Sequence, residues 1–375
     1  MTKVFPNSWT MDHTHRCNSL RYPLIIFLLC GITLSKSKKI IMVSHVLGLV
    51  FHAVCFSILV QISCCFYRFR SSFAAFTVIT NVLTLVIWWA LCIKRQKYAK
   101  VCQCLKRFGL NKCNKAVIFA RLALIVLLTM IFFPSTTSTI MLNYSTNNDK
   151  RCNECWFKIT SIFGKNMFNF FLQISRYFIN WGFTFTIASF YSIICLEING
   201  IVCKLIKDLN SQEFYIAQKT KKQYRRVVQI MIDFENSMSF LVFLVFCNCF
   251  NEFFRGLTQI LYNPQANETI RHETISIIAF AYFIGSGLTF IMTVFTADHL
   301  QQNFGLLRNL MLETSDLMSK PSDLSDLLQY DLILLEDKDN LHLTAWDMFI
   351  VRKGLIITAL ASLISYSVIL GQLKI

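Results

Sequence analysis

Gly354–Leu373 reads GLIITALASLISYSVILGQL, twenty residues without a charge that end two positions before the last residue of the chain. Laid on a helix at about 100° per residue, Thr358, Ser362, Ser365, Ile369 and Gln372 fall in one stripe. Lipid offers no partner to a row of hydroxyls and an amide, so the stripe is expected to face protein or water. Two readings follow. In a symmetric oligomer the stripe, repeated about an axis, lines a hydrated lumen. Alternatively, small residues on one face of a membrane helix pack it against a neighbour, which suits Thr358, Ser362 and Ser365 better than the large Gln372. On physical grounds alone the two stand level.

Working outward, the whole chain has the composition of a membrane protein. Of its 375 residues 54% are hydrophobic, 35 are Phe and only 15% are charged, too few to cover the surface of a soluble domain of this size. Runs long enough to span a bilayer recur at 40–66, 73–93, 117–142, 167–198, 237–261, 274–297 and 354–373. The expected fold is an all-α membrane protein of seven transmembrane helices in a single polytopic domain. Tyr22–Leu34 is apolar but too short to span. With Lys36, Lys38 and Lys39 after it and no small-residue cleavage site, it reads as a short interfacial or re-entrant helix within a cytoplasmic tail, 1–39.

Orientation follows from the basic residues. The N-terminal tail carries six, the connection after the second span eight and that after the fourth span seven, so alternate segments hold 21 Lys and Arg against 7 on the opposite side. The positive-inside rule then puts the N-terminus in the cytoplasm and the C-terminus outside. This placement also accounts for the net charge of +16 without nucleic acid, because the cations avoid the apolar runs. The sequons at Asn143 and Asn267 fall in loops expected to be extracellular, as glycosylation requires. Cys152 and Cys155 form a lone CxxC, open to a local disulfide or to two unrelated thiols. Without a second pair it gives little support to a metal.

The cytoplasmic side is expected to hold structure of its own. Leu205–Glu235 is rich in helix formers with helical apolar spacing, so the fourth and fifth helices should run on past the bilayer. The segment 298–349 reverses sign and is acidic. Within it, Leu324, Leu327, Leu328, Leu332 and Leu335 follow i, i+3, i+4 spacing, which describes an amphipathic helix able to pack on the basic extensions.

Nothing in the sequence assembles catalytic chemistry or a cofactor site, and an enzyme is not expected. Intramembrane polar residues are more telling, because they are costly. Arg176, Tyr177 and Trp181 lie in the fourth span, Glu252 and Arg255 at i, i+3 in the fifth, and Tyr282 in the sixth beside Gly285-Ser-Gly287. All fall toward the outer halves of their helices in this topology. They read either as an ion pair with interfacial aromatics or as a small-molecule pocket lined by aromatics and a few polar groups.

The closing residues carry one further signal. Ser365-Tyr366, then Ser-Val-Ile-Leu-Gly, then Gln372-Leu373 resembles the Thr-Tyr-x5-Gln-Phe signature that ends the last helix of insect gustatory receptors, relatives of the insect odorant receptors. Ser365 stands for the Thr and Leu373 for the Phe. The resemblance implies a tetrameric, tastant-gated, non-selective cation channel in the plasma membrane of chemosensory neurons, assembled from like or sister subunits. It implies a pore lined by the last helix, with Thr358, Ser362, Ser365, Tyr366, Ile369, Gln372 and Leu373 at the lumen or gate, and a shared cytoplasmic anchor. A G-protein-coupled receptor also has seven spans but needs the opposite orientation. A transporter would be expected to show two related halves, and no internal repeat stands out.

Overall fold

A computed structural model of the chain describes residues 19–34, 37–69, 72–108, 114–145, 162–210, 214–261, 269–318 and 342–373. The described chain is almost wholly helical: α1 (Arg21–Leu29), α2 (Lys38–Phe69), α3 (Ser72–Arg107), α4 (Asn114–Ser145), α5 (Ile162–Tyr177), a π-helical turn (Phe178–Gly182), α6 (Phe183–Asn210), α7 (Phe214–Leu261), α8 (Thr269–Met318) and α9 (Gly354–Leu373). Ahead of α9 stands one small antiparallel hairpin, β1 (Thr344–Ala345) and β2 (Phe349–Ile350), with Thr344 opposite Ile350 and Ala345 opposite Phe349.

Six helices, α2, α3, α4, α6, α7 and α8, contain stretches long and apolar enough to cross a membrane among the described residues, whereas α9 offers the shorter stretch Gly354–Ile369. The protein is therefore a multi-pass membrane protein by its helices. As a 20-residue helix, α9 is about 30 Å long, comparable with the hydrocarbon core. At 48 and 50 residues, α7 and α8 far exceed one bilayer crossing. The acidic segment expected to begin at Asp298 thus starts as a continuation of α8. The leucine-patterned stretch 324–335 lies outside the described residues, as do Asn267, Cys152 and Cys155; Asn143 is described only in its backbone, near the end of α4.

At the centre of the bundle, α6 is enclosed by α8, α7, α4 and α3. Phe183 to Cys195 is buried residue after residue, with Thr184, Thr186, Ser189 and Ser192 among the aromatics. A helix apolar around its whole circumference can only sit so. Among its hydroxyls, that of Thr186 donates to the Gly182 carbonyl four residues back at 2.7 Å, satisfying itself within the helix. The same device carries α4 past Pro134, where Ser135, Thr137 and Thr139 each donate to the carbonyl four residues earlier.

The short α1 lies against α2 and α6. Gly31, at φ 80°, packs so closely on Gly48 that a Cβ there would lie 2.2 Å from the Gly48 Cα. Ser44 donates to the Gly31 carbonyl and Trp88 to that of Cys30, tying the turn after α1 to both α2 and α3. Gly48 is ten residues beyond Lys38, so the end of α1 sits about 15 Å along α2.

Candidate functional site

Asn248, Asn251, Glu252 and Arg255 recur at i, i+3, i+4 and i+7 and form one polar stripe on α7, every member buried. Thr77, Thr80, Asn81 and Thr84 make the matching stripe on α3, also buried. Between them lies an ion pair, Arg255 Nη2 to Glu252 Oε2 at 2.5 Å, with both side chains only 1% exposed. Thr80 donates to the other carboxylate oxygen at 2.5 Å, and Asn251 donates to Thr80 at 2.7 Å and to the Phe76 carbonyl at 2.9 Å. A charge pair taken this far out of water persists only where such extra bonds hold it.

The guanidinium is also stacked. Its centre lies 3.7 Å from the Tyr282 ring centroid, and Tyr282 stacks in turn on Tyr177 at 5.3 Å. The Tyr177 hydroxyl shares a 2.9 Å hydrogen bond with Ser138 on α4. The chain Ser138–Tyr177–Tyr282–Arg255–Glu252–Thr80 therefore joins α4, the end of α5, α8, α7 and α3 in one connected cluster.

The π-helical turn positions the remaining members. A wider turn of this kind inserts one residue into the helical register and is often found at functional sites. Here it directs Asn180 and Trp181 inward, both buried. Trp181 donates its indole N–H to Thr289 at 3.2 Å and lies over the backbone of Gly285, where a Cβ would meet the indole at 2.8 Å. Asn180 accepts from Asn81 through its side chain at 3.2 Å and from Asn248 through its carbonyl at 3.4 Å; Asn248 also donates to Thr184 at 2.7 Å.

Four of the six pocket candidates read from the sequence, Tyr177, Glu252, Arg255 and Tyr282, are in contact in this chain, and Trp181 packs on Gly285 and Thr289 of α8. Arg176 is half-buried at the end of α5, and none of the bonds above involves it. The sequence reading did not single out Thr77, Thr80, Asn81, Asn180, Asn248, Asn251 or Thr289. A fainter signal for the α3 and α7 residues was present, in polar side chains recurring at helical spacing inside an apolar run.

In α9, Thr358, Ser362, Ser365, Ile369 and Gln372 are all exposed in the single chain. Thr358, Ser362 and Ser365 each donate to the carbonyl four residues earlier. These hydroxyls satisfy themselves, so the demand for a polar surrounding falls chiefly on Gln372. Tyr366 is half-buried, its ring 4.4 Å from that of Phe254 on α7, and the Leu373 side chain is not described. Ala359 and Leu363 are buried among the described side chains of the helix. Together with Tyr366 they form its seam to the bundle, while Ile357, Leu360, Ile364 and Val368 stand 52–72% exposed on a third face.

The fold has solved counterparts. The chain is similar to the insect olfactory receptor OR5 from Machilis hrabei, with a TM-score of 0.68, 14% identity and coverage of 96% of this chain and 100% of that one. The structure of the same receptor in complex with eugenol matches with a TM-score of 0.69, 13% identity and the same coverage. At such identity the likeness is one of fold. No protein-family model and no curated protein matches the sequence.

Proposed function

We propose that the chain is a subunit of a ligand-gated cation channel of the insect chemoreceptor kind, serving taste. The observation that carries this reading is the likeness of fold along 96% of the chain to an olfactory receptor whose solved structures include a complex with the small molecule eugenol. The Ser365-Tyr366-x5-Gln372-Leu373 motif favours the gustatory branch. In this reading the subunit works in a tetramer of like or sister chains in the plasma membrane, N-terminus inside. Its stripe of Thr358, Ser362, Ser365, Ile369 and Gln372 faces the lumen, with Leu373 near the gate.

The three faces of α9 support that assignment. One is packed on the bundle, one is bare and apolar, and the third carries the polar stripe, leaving Gln372 without the surroundings an amide needs unless water or protein supplies them. The ligand is a small molecule bound at the buried cluster around Tyr177, Trp181, Glu252, Arg255 and Tyr282. An aliphatic Leu373 in place of an aromatic residue gives the gate a different width and wetting barrier.

Expression in a heterologous cell, alone or with sister subunits, tests the proposal. A panel of tastants should evoke a cation current that Gln372→Ala alters, and a C-terminal epitope should label on intact cells. G-protein signalling without current, or an epitope reached only after permeabilisation, would sink it.

A further inference from the structure

The seven residues Thr344–Ile350 sit between the end of the bundle and α9, and they are held from two helices. On α7, Glu235 accepts hydrogen bonds from both the backbone N–H, at 2.8 Å, and the hydroxyl of Thr344. On α8, the nearly buried Asp298 takes up the other end: its carboxylate lies 3.2 Å from Lys353 Nζ, accepts from the Lys353 N–H at 3.5 Å and is held by Gln302 at 2.6 Å. Gln301, one residue earlier on α8, donates to the Val351 carbonyl at 2.8 Å. Lys353 immediately precedes α9, so Asp298 places a carboxylate against the positive end of that helix.

The turn between these grips is strained. Trp346 and Asp347 have φ of 53° and 56°, the only non-glycine residues with positive φ among those described. A left-handed conformation is costly for a residue as bulky as Trp and persists only where its surroundings impose it. The surroundings here are specific: the Trp346 ring lies 5.2 Å from both Phe240 and Phe243, and the Trp346 backbone N–H donates to the Ser239 carbonyl at 3.2 Å. The turn is thus held from one side by Glu235 and the two phenylalanines, while Asp298 grips Lys353 three residues past its end.

We propose that Thr344–Ile350 is a latch that fixes the inner end of α9, with Glu235 and Asp298 as positioning residues for that helix. The consequence for gating rests on the channel reading above; the structural part does not. Beyond the latch, the described side chains of α9 that pack on the bundle are Leu355 and Ile356 in its first turn and the seam of Ala359, Leu363 and Tyr366, so its pose depends on how its foot is held.

The test uses the full chain in lipid nanodiscs and in cells. In nanodiscs, Asp298→Ala should speed amide exchange across 351–356 by about tenfold, the loss of a capping acceptor and an ion pair together. Glu235→Ala should do the same across 343–348, while α6 exchanges as before. Lys353→Met, which removes a half-exposed partner and disturbs the fold least, should raise exchange only about twofold over 351–356. In cells, current normalised to surface-labelled protein should show the ligand-free open fraction shifted by Asp298→Ala and Glu235→Ala in the same direction, at unchanged unitary conductance. Unchanged exchange in all three variants overturns the latch. Faster exchange with normal gating, or opposite shifts from the two clamps, overturns the positioning role. A wild-type chain that carries no current refutes the channel reading, and exchange alone then judges the latch.

Discussion

Arg255 and Glu252 offer a test that separates what the buried cluster does for the fold from what it does for ligands. Arg255→Met leaves the Glu252 carboxylate at 0% exposure with Thr80 as its remaining described donor. Glu252→Leu takes the carboxylate from a guanidinium whose other contacts include the Tyr282 ring and a long 3.5 Å bond to Thr77. Breaking a buried pair by removing one partner costs about 3–5 kcal/mol, because a charge remains without compensation. Removing both is different: a buried pair replaced by apolar groups of similar volume is close to neutral, so Glu252→Leu/Arg255→Met should lie within about 1 kcal/mol of the wild type. Thr80 then has a local alternative, bonding back to its own helix as Thr84 does to the Thr80 carbonyl at 2.9 Å.

The expected coupling between the two sites therefore exceeds the roughly 3 kcal/mol reached by ordinary contacting pairs. Apparent melting temperature by fluorescence-detected gel filtration, at one scan rate throughout, reads it out. At about 2–4 °C per kcal/mol for a large chain, each single variant should fall by roughly 10 °C and the double variant by only a few degrees. If the double variant is as unstable as the sum of the singles, the two groups are not a pair in any energetic sense and the reasoning fails. Ligand response then divides the roles. A stable double variant that has lost tastant-evoked current places the cluster in the pocket, whereas one with wild-type sensitivity leaves it a lock between helices and removes it from the proposed site.

Three further outcomes follow from single contacts. Gly285→Ala puts a methyl group 2.8 Å from the Trp181 indole; overpacking of this kind should cost about 1–3 kcal/mol, seen as a lowered melting temperature and a shift in tryptophan emission, and an unchanged spectrum would contradict the placement of Trp181. Gly31→Ala meets the backbone of Gly48 at 2.2 Å with φ already at 80°, so surface expression should fall sharply; normal expression would contradict the close approach of α1 to α2. Tyr366→Ala removes the ring packed on Phe254, worth about 1 kcal/mol beyond its buried area. With that contact gone, amide exchange near position 366 should rise while α6 is unaffected.

The helices were legible from hydrophobic runs because each run also had the length that a bilayer demands, and the extension of α7 could be read from its apolar spacing beyond the run. Tyr177, Glu252, Arg255 and Tyr282 were legible because charge and aromatic hydroxyls inside such runs are conspicuous. What escaped was polar chemistry that looks innocuous one residue at a time. Thr80, Asn81 and Asn251 acquire meaning only when two stripes face each other, and nothing in one stripe specifies its partner. The π-helical turn at Phe178–Gly182 escaped for a related reason, since a one-residue widening leaves the apolar pattern of FINWG unchanged. The hairpin was hidden differently. Trp346-Asp347 lacks the Asn-Gly or Asp-Gly chemistry that announces a turn with positive φ, because the conformation is imposed by Glu235, Phe240 and Phe243 from another helix.

These elements converge on α7. Around one turn of that helix Glu252 and Arg255 face the polar stripe of α3, Phe253 packs on Phe283 and Phe290 of α8, and Phe254 carries Tyr366 of α9. Further along the same helix, Glu235, Phe240 and Phe243 hold the strap that leads into α9. A rigid helix that holds the last helix at Tyr366 and its strap at Thr344 and Trp346, and carries the buried cluster beside Phe254, cannot rotate at one place without acting on the others. Rotation of α7 by even a few degrees would pull Phe254 and the strap together. In the proposed channel this makes α7 the shortest physical route from ligand to pore, and it needs no chain of intermediate side chains. The coupling should then survive conservative changes in α5 and α6 that spare the cluster, but not a change that lets Phe254 turn independently of Arg255. Inserting one residue between positions 244 and 245, which leaves both ends of α7 helical but turns them about 100° relative to each other, should abolish ligand gating even where the subunit still reaches the surface.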